Sequence, residues 1–218
     1  KYHALGNDYL VVQAEAWAGV LTPPAVRRVC DRHFGIGSDG ILVHQPAPGP
    51  GPFSLRILNP DGSEAEKSGN GLRIFARYLW DADLVGPSPF PVTTPGGVVR
   101  GEVREQGRSV AVDMGTVRFT SRDIPVSGPE REVLQETLLV RGQPLVYSAA
   151  TVGNPHCVLV RERVSAEEAR TLGPLIESDA RFPRRTHRLS AARRFAFPLG
   201  ADVDEAGEGG RFVGVDAE

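Results

Sequence analysis

The chain has 218 residues, of which 40% are hydrophobic and 24% are charged, a length and composition that suit one large or two small globular domains. Its 25 basic and 27 acidic residues leave a net charge of −2, so no general positive field would attract nucleic acid or an anionic membrane. No window approaches the roughly 18 uninterrupted apolar residues of a spanning helix, and no basic-then-apolar leader opens the chain. We therefore expect a cytoplasmic protein without a nucleic-acid or membrane partner, and the start at Lys1 rather than Met predicts a short preceding segment.

The cysteine content excludes two classes of site. Cys30 and Cys157 are the only cysteines in the chain. Two cysteines are too few for a disulfide framework or a four-thiolate metal site. We therefore predict no bound metal.

The first sixty residues predict strands separated by one helix. Residues 6–8 form a turn-forming triplet before a β-rich run. The threonine and two prolines at residues 22–24 are typical of a helix start, and Cys30 falls on the apolar face of that helix. Residues 59–62 carry a strong turn signal. The predicted strands are residues 9–13, 41–43 and 54–58.

A glycine-rich loop precedes the most informative helix. Ser68-Gly69-Asn70-Gly71 leads into an apolar stripe whose spacing predicts a helix to about Trp80. The unpaired N–H groups and the positive end of the helix dipole favour a carboxylate or phosphate at such a start. Glycine suits this position, because a side chain would hold the ligand away from the backbone. The sequence therefore predicts an anion site at the N–H groups of Gly69, Asn70 and Gly71.

The second half of the chain repeats this mixture of elements. A short helix is predicted over residues 166–172, and no periodic element is predicted beyond Phe182, where arginines crowd into residues 181–194. We interpret that segment as a solvated face, because it lacks the interleaved aromatic residues of a nucleic-acid site. The order of elements predicts an α+β fold of two units, residues 1–115 and 116–218. The other predicted strands are residues 91–93, 97–105, 110–114, 133–140, 144–150 and 157–160.

Four motifs, in order and at suitable spacing, resemble diaminopimelate epimerases. The match extends from the first residue to about Thr186. The third motif joins a turn to the helix start, and a run of that length is far more specific than a lone glycine pattern. The motifs are His3-Ala4-Leu5-Gly6-Asn7-Asp8, Arg32-His33-Phe34-Gly35-Ile36-Gly37-Ser38-Asp39-Gly40, Asn59-Pro60-Asp61-Gly62-Ser63-Glu64-Ala65-Glu66 with Ser68-Gly69-Asn70-Gly71, and Gly153-Asn154-Pro155-His156.

The resemblance implies an α+β fold of two similar α/β-roll domains with the active site in the cleft between them. It also implies a cofactor-free isomerase that interconverts LL- and meso-diaminopimelate on the route to lysine and peptidoglycan precursors. In such enzymes a thiolate removes the α-proton from one face, and an opposing thiol delivers one to the other. Because no pyridoxal phosphate takes up the carbanion charge, electrostatic stabilisation must come from the protein. The expected partners are a small amino-acid substrate and, in a homodimer, a second copy of the chain.

The resemblance also implies site residues in both domains. One helix terminus, aimed at the substrate α-carboxylate, would consist of Gly69, Asn70 and Gly71. The amides that orient the amino acid would be those of Asn7, Asn59 and Asn154. From the second domain, Asn154 and His156 would lie beside the cleft.

Two departures from the family pattern bear on activity. Ser68 stands where the family carries its first catalytic cysteine, and a neutral hydroxyl is a far weaker base than a thiolate unless another group activates it. The second catalytic motif, cysteine-glycine-threonine-glycine, is missing from the sequence, since neither Cys30 nor Cys157 begins it. We therefore expect impaired activity and a second domain that is incomplete and without a long apolar-striped helix. Such a domain would be loosely packed, partnered by another chain or completed by further residues.

Several residues keep a structural alternative at this stage. Ser68 is either the catalytic group or a simple N-cap of the helix. His156 is either a cleft residue or a polar strand end, and asparagines in turns commonly satisfy local backbone groups. Cys157 is interpreted as a packed hydrophobic residue rather than a replacement thiol, because it lies in an apolar strand.

Two other functions stay open beside the epimerase. One is a racemase or isomerase of another small amino acid, including the phenazine-pathway branch that shares the fold without the cysteine pair. The other is a non-catalytic homologue that binds an amino acid. Exchange of the substrate α-proton with solvent discriminates an enzyme from a binding protein.

Overall fold

The computed structural model describes residues 1–17, 19, 21–46, 52–153, 155–161, 165–183, 187–192 and 211–215. The chain divides into two compact units. Unit 1 comprises residues 1–114 and 213–218, and unit 2 comprises residues 115–212. The predicted domains, 1–115 and 116–218, have their boundary one residue later than these units and place residues 213–218 in the second half rather than the first.

Unit 1 is a mixed sheet with a helix on each face. The strand order is β1-β2-β3-β4-β6-β7-β8, with β13 beside β8 and β5 paired to β4. β2 is parallel to β3 and β4 is parallel to β6, whereas the other pairs among β1 to β8 are antiparallel. The elements are β1 (Tyr2–Ala4), β2 (Asn7–Gln13), α1 (Pro23–Cys30), β3 (Ile41–Gln45), β4 (Phe53–Leu58), β5 (Glu64–Ala65), α2 (Gly69–Asp81), β6 (Phe90–Thr94), β7 (Gly97–Arg104), β8 (Ser109–Thr116) and β13 (Arg211–Val215), with short 3₁₀ turns at Ala14–Ala16 and Glu105–Gly107.

Helix α1 begins where its sequence predicts and covers one face of the sheet. Thr22 is the N-cap, and its hydroxyl accepts a hydrogen bond from the Ala25 N–H at 3.4 Å. Proline in the first turn costs no hydrogen bond, because the N–H groups of that turn have no partner inside the helix. The helix buries Val26 and Cys30 against strand residues of one cluster, namely Leu10, Ile41, Val43 and Leu58. Cys30 is therefore a core residue, as predicted.

Helix α2 covers the opposite face. Alternate residues of β3 point to opposite sides of the sheet, and Leu42 lies beside the α2 backbone, where a Cβ added to Gly71 would be 3.1 Å from Leu42 Cδ2. The ring centroids of His44 and Phe75 are 5.3 Å apart. Burial lowers the pKa of His44, because its ring is partly removed from water. The buried residues of α2 are Gly71, Leu72, Ile74, Phe75, Ala76 and Leu79.

Unit 2 contains a smaller sheet in the order β12-β11-β10-β9. β10 is antiparallel to both β9 and β11, while β11 is parallel to β12, which it reaches through α3. Ser165 caps α3, accepting a hydrogen bond from the Glu168 N–H at 3.0 Å. The elements are β9 (Glu136–Val140), β10 (Gln143–Thr151), β11 (Pro155–Arg161), α3 (Ala166–Glu177) and β12 (His187–Ala192).

The expectation of a loosely packed second domain is wrong for the described part of unit 2. Its core contains Ile124, Val126, Val133, Leu138, Val140, Leu145, Tyr147, Ala149, Cys157, Leu159, Leu172, Ile176 and Phe182. Three of these residues, Ile124, Val126 and Val133, lie in the segment before β9. The sequence did not predict that this segment contributes to the core. Helix α3 contributes only two, Leu172 and Ile176, so among the described residues unit 2 has no helix that buries as much as α2.

Three element boundaries also differ from the sequence predictions. α3 continues to Glu177 through Pro174, although a proline usually ends a helix. β9 begins at Glu136 rather than Val133, because Gln135 has a φ of 52° that an extended strand does not accommodate. Beyond Phe182, where no element was predicted, β12 and β13 form.

Within the described residues, the helices are all too short or too polar to cross a membrane.

Candidate active site

The β1–β2 hairpin presents Asn7 at the start of β2. Leu5 and Gly6 form its two-residue turn, with φ values of 53° and 85°, and Ala4 pairs with Asn7. Positive φ at both turn residues matches the twist of a hairpin, and glycine is the residue that adopts it at least cost. The turn therefore fixes Asn7 beside the start of α2, whose Asn70 donates from Nδ2 to Asn7 Oδ1 at 3.2 Å.

Ser68 is the N-cap of α2. Its Oγ accepts a hydrogen bond from the Gly71 N–H at 3.1 Å and lies 3.4 Å from the Tyr9 hydroxyl. The Gly71 N–H is thus already used inside the protein. No hydrogen bond within the described ranges takes the N–H of Gly69 or Asn70, and both residues are only half-buried. The two amides are therefore the donors that α2 can offer to an anion.

A close approach of two backbone segments holds Tyr9 at Ser68. A Cβ added to Gly40 would lie 2.7 Å from Tyr9 Cε1 and 2.6 Å from the Leu58 carbonyl oxygen. Only glycine fits at such distances. Tyr9 itself is buried. Gly40 therefore makes room for the aromatic ring whose hydroxyl faces Ser68.

An ionic cluster ties the hairpin to the loop before β3. Arg32 contacts Asp8 at 2.6 Å and Asp39 at 2.8 Å, and Lys1 contacts Asp8 at 2.8 Å. Hydrogen bonds from Arg32, followed by those from Lys1, hold the pKa of Asp8 well below its usual range. The carboxylate of Asp8 therefore stays ionised at neutral pH, and the Arg32 guanidinium bridges Asp8 and Asp39.

Asn7 is also bonded to this cluster. Its Nδ2 donates to Asp39 Oδ2 at 3.1 Å, and the same oxygen accepts the Asp8 backbone N–H at 3.0 Å. The other amide in the first unit, Asn59, donates to Ser63 Oγ at 3.0 Å inside its own turn. Among the hydrogen bonds of the described residues, none joins Asn59 to Asn7 or Asn70. The structure brings together Asn7, Ser68, Gly69, Asn70 and Gly71.

The second-unit candidates are less fully described. Asn154 lies outside the described residues. His156 is a half-buried residue of β11. Cys157, the next residue, is fully buried in the unit 2 core, which confirms its interpretation as a packed residue. Among the described residues no three His, Cys, Asp or Glu side chains are grouped so that they could hold a metal ion.

The sequence analysis predicted no site role for four residues that lie here: Tyr9, Arg32, Asp39 and Arg73. Arg32 and Asp39 belong to the second motif, so the motif itself was a signal. Arg73 donates to Asn70 Oδ1. It lies one turn of helix after Asn70, and a polar pair three residues apart on a helix start is a signal of contact.

Comparison with known proteins agrees with the motifs. A family model for diaminopimelate epimerase matches residues 1–120. Diaminopimelate epimerase 2 of Nostoc sp. is 52% identical over 187 residues, covering 86% of this chain and 66% of that protein. The diaminopimelate epimerase of Pelotomaculum thermopropionicum is 42% identical over 192 residues, covering 86% of this chain and 68% of that protein. The chain thus spans about two thirds of the length of these relatives.

A solved structure gives the fold. A hydroxyproline epimerase from Agrobacterium vitis, with bound trans-4-hydroxy-L-proline, has a TM-score of 0.54 and 16% identity, covering 71% of this chain and 47% of that chain. At this identity the similarity concerns the fold alone, and the predicted α+β class is confirmed. The matched sequence model covers three of the four motifs. The chain belongs to the diaminopimelate epimerase family.

Proposed function

We propose that the protein is an amino-acid epimerase that interconverts LL- and meso-diaminopimelate without a cofactor. The observation that carries the proposal is the junction of Ser68, Asn70 and Asn7 at the start of α2, in a chain of this family. The junction offers amide donors beside the position of the family's first base. It therefore has the parts needed to hold an amino acid next to a proton-transfer group.

The start of α2 supplies the electrostatic part of the reaction. The N–H groups of Gly69 and Asn70, at the positive end of a 13-residue helix, would bind the substrate α-carboxylate. When the α-proton leaves, negative charge develops on the α-carbon and spreads into that carboxylate. Donors that are already fixed stabilise this charge without reorganising during the step.

Ser68 limits the proton transfer. Its Oγ accepts the Gly71 N–H, and a hydroxyl is a much weaker base than a thiolate at neutral pH. The group 3.4 Å from the Ser68 Oγ is the Tyr9 hydroxyl, not a thiol. We therefore propose slow inversion. A general acid or base contributes about 100- to 10,000-fold to a rate, and a loss of that order is expected relative to a thiol.

The test is exchange of the α-proton of LL- and meso-diaminopimelate in deuterated water, followed by NMR. We expect slow exchange in the unaltered protein, none above background in Ser68→Ala, and a rate at least about 100-fold higher in Ser68→Cys. Ser165→Ala is the matched control, because Ser165 caps α3 with the same geometry. Its exchange rate should equal that of the unaltered protein.

The proposal fails if bound diaminopimelate exchanges no proton in either the unaltered protein or Ser68→Cys. It also fails if Ser165→Ala lowers exchange as much as Ser68→Ala. In that case the loss reflects weaker helix capping rather than the chemistry of Ser68.

A second candidate is a homologue that binds an amino acid without inverting it. The specific observation in its favour is the N-cap role of Ser68, which by itself accounts for a serine at this position. Calorimetric binding of diaminopimelate, together with absence of exchange in Ser68→Cys, would support it over the epimerase. A racemase of another small amino acid would instead exchange the α-proton of that amino acid faster than that of diaminopimelate.

The remaining proposals concern the setting of the enzyme. We place it in lysine biosynthesis in the cytoplasm, independent of pyridoxal phosphate, and we propose that Asn59, Asn154 and His156 also contact substrate. A homodimer is proposed because Leu139, Val146 and Val160 of unit 2 are exposed apolar side chains. Light scattering after gel filtration tests it: a mass near 23.5 kDa would exclude a dimer.

A further inference from the structure

Four side chains of unit 1 form a continuous chain of hydrogen bonds across the site. Arg73 donates to Asn70 Oδ1. Asn70 Nδ2 donates to Asn7 Oδ1 at 3.2 Å, and Asn7 Nδ2 donates to Asp39 Oδ2 at 3.1 Å. The chain joins the first turn of α2 to the start of β2 and to the loop before β3. We refer to these four residues as the amide relay.

The two ends of the amide relay fix its direction. A guanidinium can only donate hydrogen bonds, and an ionised carboxylate can only accept them. Asp39 must therefore face the NH₂ group of Asn7, and Arg73 must face the carbonyl oxygen of Asn70. An asparagine placed between two neutral partners can be reversed at little cost. Here a reversal of either amide would set oxygen against oxygen or NH₂ against NH₂.

The fixed direction leaves defined groups for a ligand. An asparagine amide has two N–H donors and two acceptor positions, and the relay uses one donor and one acceptor of each. Asn7 and Asn70 thus each retain one N–H and one lone pair. Both residues are half-buried, so these groups stay within reach of a small molecule at the start of α2.

Arg32 binds Asp39, the hydrogen-bond acceptor at one end of the amide relay, without being part of the relay. Its guanidinium donates to Asp39 Oδ1 at 2.8 Å, while Asp39 Oδ2 accepts from Asn7 and from the Asp8 backbone N–H. Asp8 binds the same guanidinium at 2.6 Å. The Asp8 side chain does not belong to the relay. Asp8 and Asp39 are therefore a natural pair for comparison, since both carboxylates bind Arg32.

We infer that Asp39 and Arg73 are positioning residues, which hold the amides of Asn7 and Asn70 in the one orientation that presents an N–H from each to the bound amino acid. The inference rests on the proposed function, in that the ligand is the amino-acid substrate. Neither Asp39 nor Arg73 is required to touch that substrate. Removing the acceptor end should release Asn7 from its fixed orientation, whereas Arg73 still holds the oxygen of Asn70.

The first test needs no ligand. The chain contains four asparagines, residues 7, 59, 70 and 154, so labelling with [¹⁵N]asparagine gives four pairs of side-chain amide signals. In Asp39→Ala we expect the Asn7 pair to shift or broaden most and the Asn70 pair, whose N–H bonds to Asn7, to shift less, with the Asn59 pair unchanged. In Asp8→Ala, which also removes an Arg32 ion pair, all pairs should stay close to their original positions.

The relay is disproved if Asp39→Ala leaves the Asn7 and Asn70 signals in place, or if Asp8→Ala moves them equally. Should Asp39→Ala fail to fold, Asp39→Asn keeps the shape but offers Asn7 a mixed donor and acceptor end. The Asn7 amide should then populate two orientations and give doubled or broadened signals. A single unshifted pair would contradict the inference.

The second test measures binding of meso-diaminopimelate by calorimetry. Hydrogen bonds that involve charged groups are the stronger class, so we expect Asp39→Ala to weaken binding by about tenfold or more. Asp8→Ala should change the affinity by less than about threefold, because the Asp8 carboxylate bonds to Arg32 and to the Asp39 backbone N–H but not to the amide of Asn7 or Asn70. If the unaltered protein does not bind the amino acid, the proposed function fails while the NMR result still decides the relay. If binding is normal in Asp39→Ala, the positioning role is wrong and the proposed function stands.

Discussion

Units 1 and 2 repeat one arrangement of elements. In each, an antiparallel hairpin is followed by a helix that connects to a parallel strand: β1-β2-α1-β3 in unit 1 and β10-β11-α3-β12 in unit 2. In the sequence, a glycine-asparagine pair stands at residues 6–7 and again at residues 153–154. Counted from these pairs, Cys157 corresponds to Leu10, and both face the helix of their own unit. The repeat explains why Cys157 is a core residue.

The two units differ in what lies on the opposite face of the sheet. In unit 1 that face is covered by α2, which begins at the proposed site. In unit 2 the corresponding residues are open to solvent among the described part of the chain, with exposed fractions of 61% for Leu139 and 57% for Val146 and Val160. One helix is therefore enough to form the core of a unit, whereas in unit 1 the second helix also carries the backbone donors of the proposed site.

The largest expected effect concerns the helix on the second face of unit 1. Phe75 is fully buried in α2 and packs against His44 and Tyr78. Phe75→Ala should lower the free energy of unfolding by about 3–5 kcal/mol, measured by urea denaturation. Phe34→Ala is the control, because Phe34 is 89% exposed, and it should change stability by less than about 0.5 kcal/mol. Similar losses in both variants would mean that α2 does not form the core described.

The second expected effect tests whether the unit 2 sheet is packed on one face only. Leu159 and Val160 are neighbours in β11, with the first fully buried and the second exposed. At a protein concentration low enough to keep the chain monomeric, Leu159→Ala should cost about 2–5 kcal/mol of unfolding free energy, and Val160→Ala less than about 0.5 kcal/mol. A large loss in Val160→Ala would show that the outer face is covered in solution and that the contrast with unit 1 is wrong.

Local chemistry made the starts of the helices predictable. The signal for each helix start lies within a few neighbouring residues. These are Thr22 followed by two prolines for α1 and Ser68 followed by an apolar stripe for α2, and both helices begin there. The end of α3 was missed for a related reason. Pro174 is a local stop signal, but Ile176 is fully buried in the unit 2 core, so tertiary packing extends the helix past it.

Contacts between distant residues account for what the sequence did not reveal. Strand β12 pairs with β11, and its sequence, His-Arg-Leu-Ser-Ala-Ala, has no pattern that indicates a strand without its neighbour. The site shows the same limit. The motifs indicated Asn7 and Asn70, yet the partner of Asn7 is Asp39, 32 residues away. Spacing along a chain does not identify such a partner, because it depends on how β2 and the loop before β3 meet.

The third expected effect compares the caps of α2 and α3. The Ser68 and Ser165 hydroxyls accept the N–H three residues ahead at 3.1 and 3.0 Å. Each serine-to-alanine change should therefore cost about 1 kcal/mol of stability, seen as matching shifts in urea midpoint. A cost for Ser68→Ala well below that of Ser165→Ala would mean that the proposed site keeps Ser68 in a conformation that does not favour capping.

The smallest expected effect is the response of each unit to acid. In unit 1, hydrogen bonds from Arg32 and then Lys1 lower the pKa of Asp8. In unit 2, hydrogen bonds from Arg131, followed by one from Tyr147, lower the pKa of Glu136. A carboxyl whose pKa is lower in the folded state adds stability at pH values above its unfolded pKa, about 4. That stability is lost as the pH falls through the folded pKa.

Asp8→Asn and Glu136→Gln should therefore be less stable than the unaltered protein at pH 7 and approach its stability as the pH falls below about 4. The difference should be small, because the Arg32 and Arg131 side chains are 52% and 31% exposed and solvent screens such pairs. Urea denaturation at several pH values measures it. Convergence should need a lower pH for Asp8→Asn, since two cations hold Asp8 ionised and its pKa lies well below the usual range. A constant gap at all pH values would show that packing, rather than ionisation, accounts for the loss in that unit.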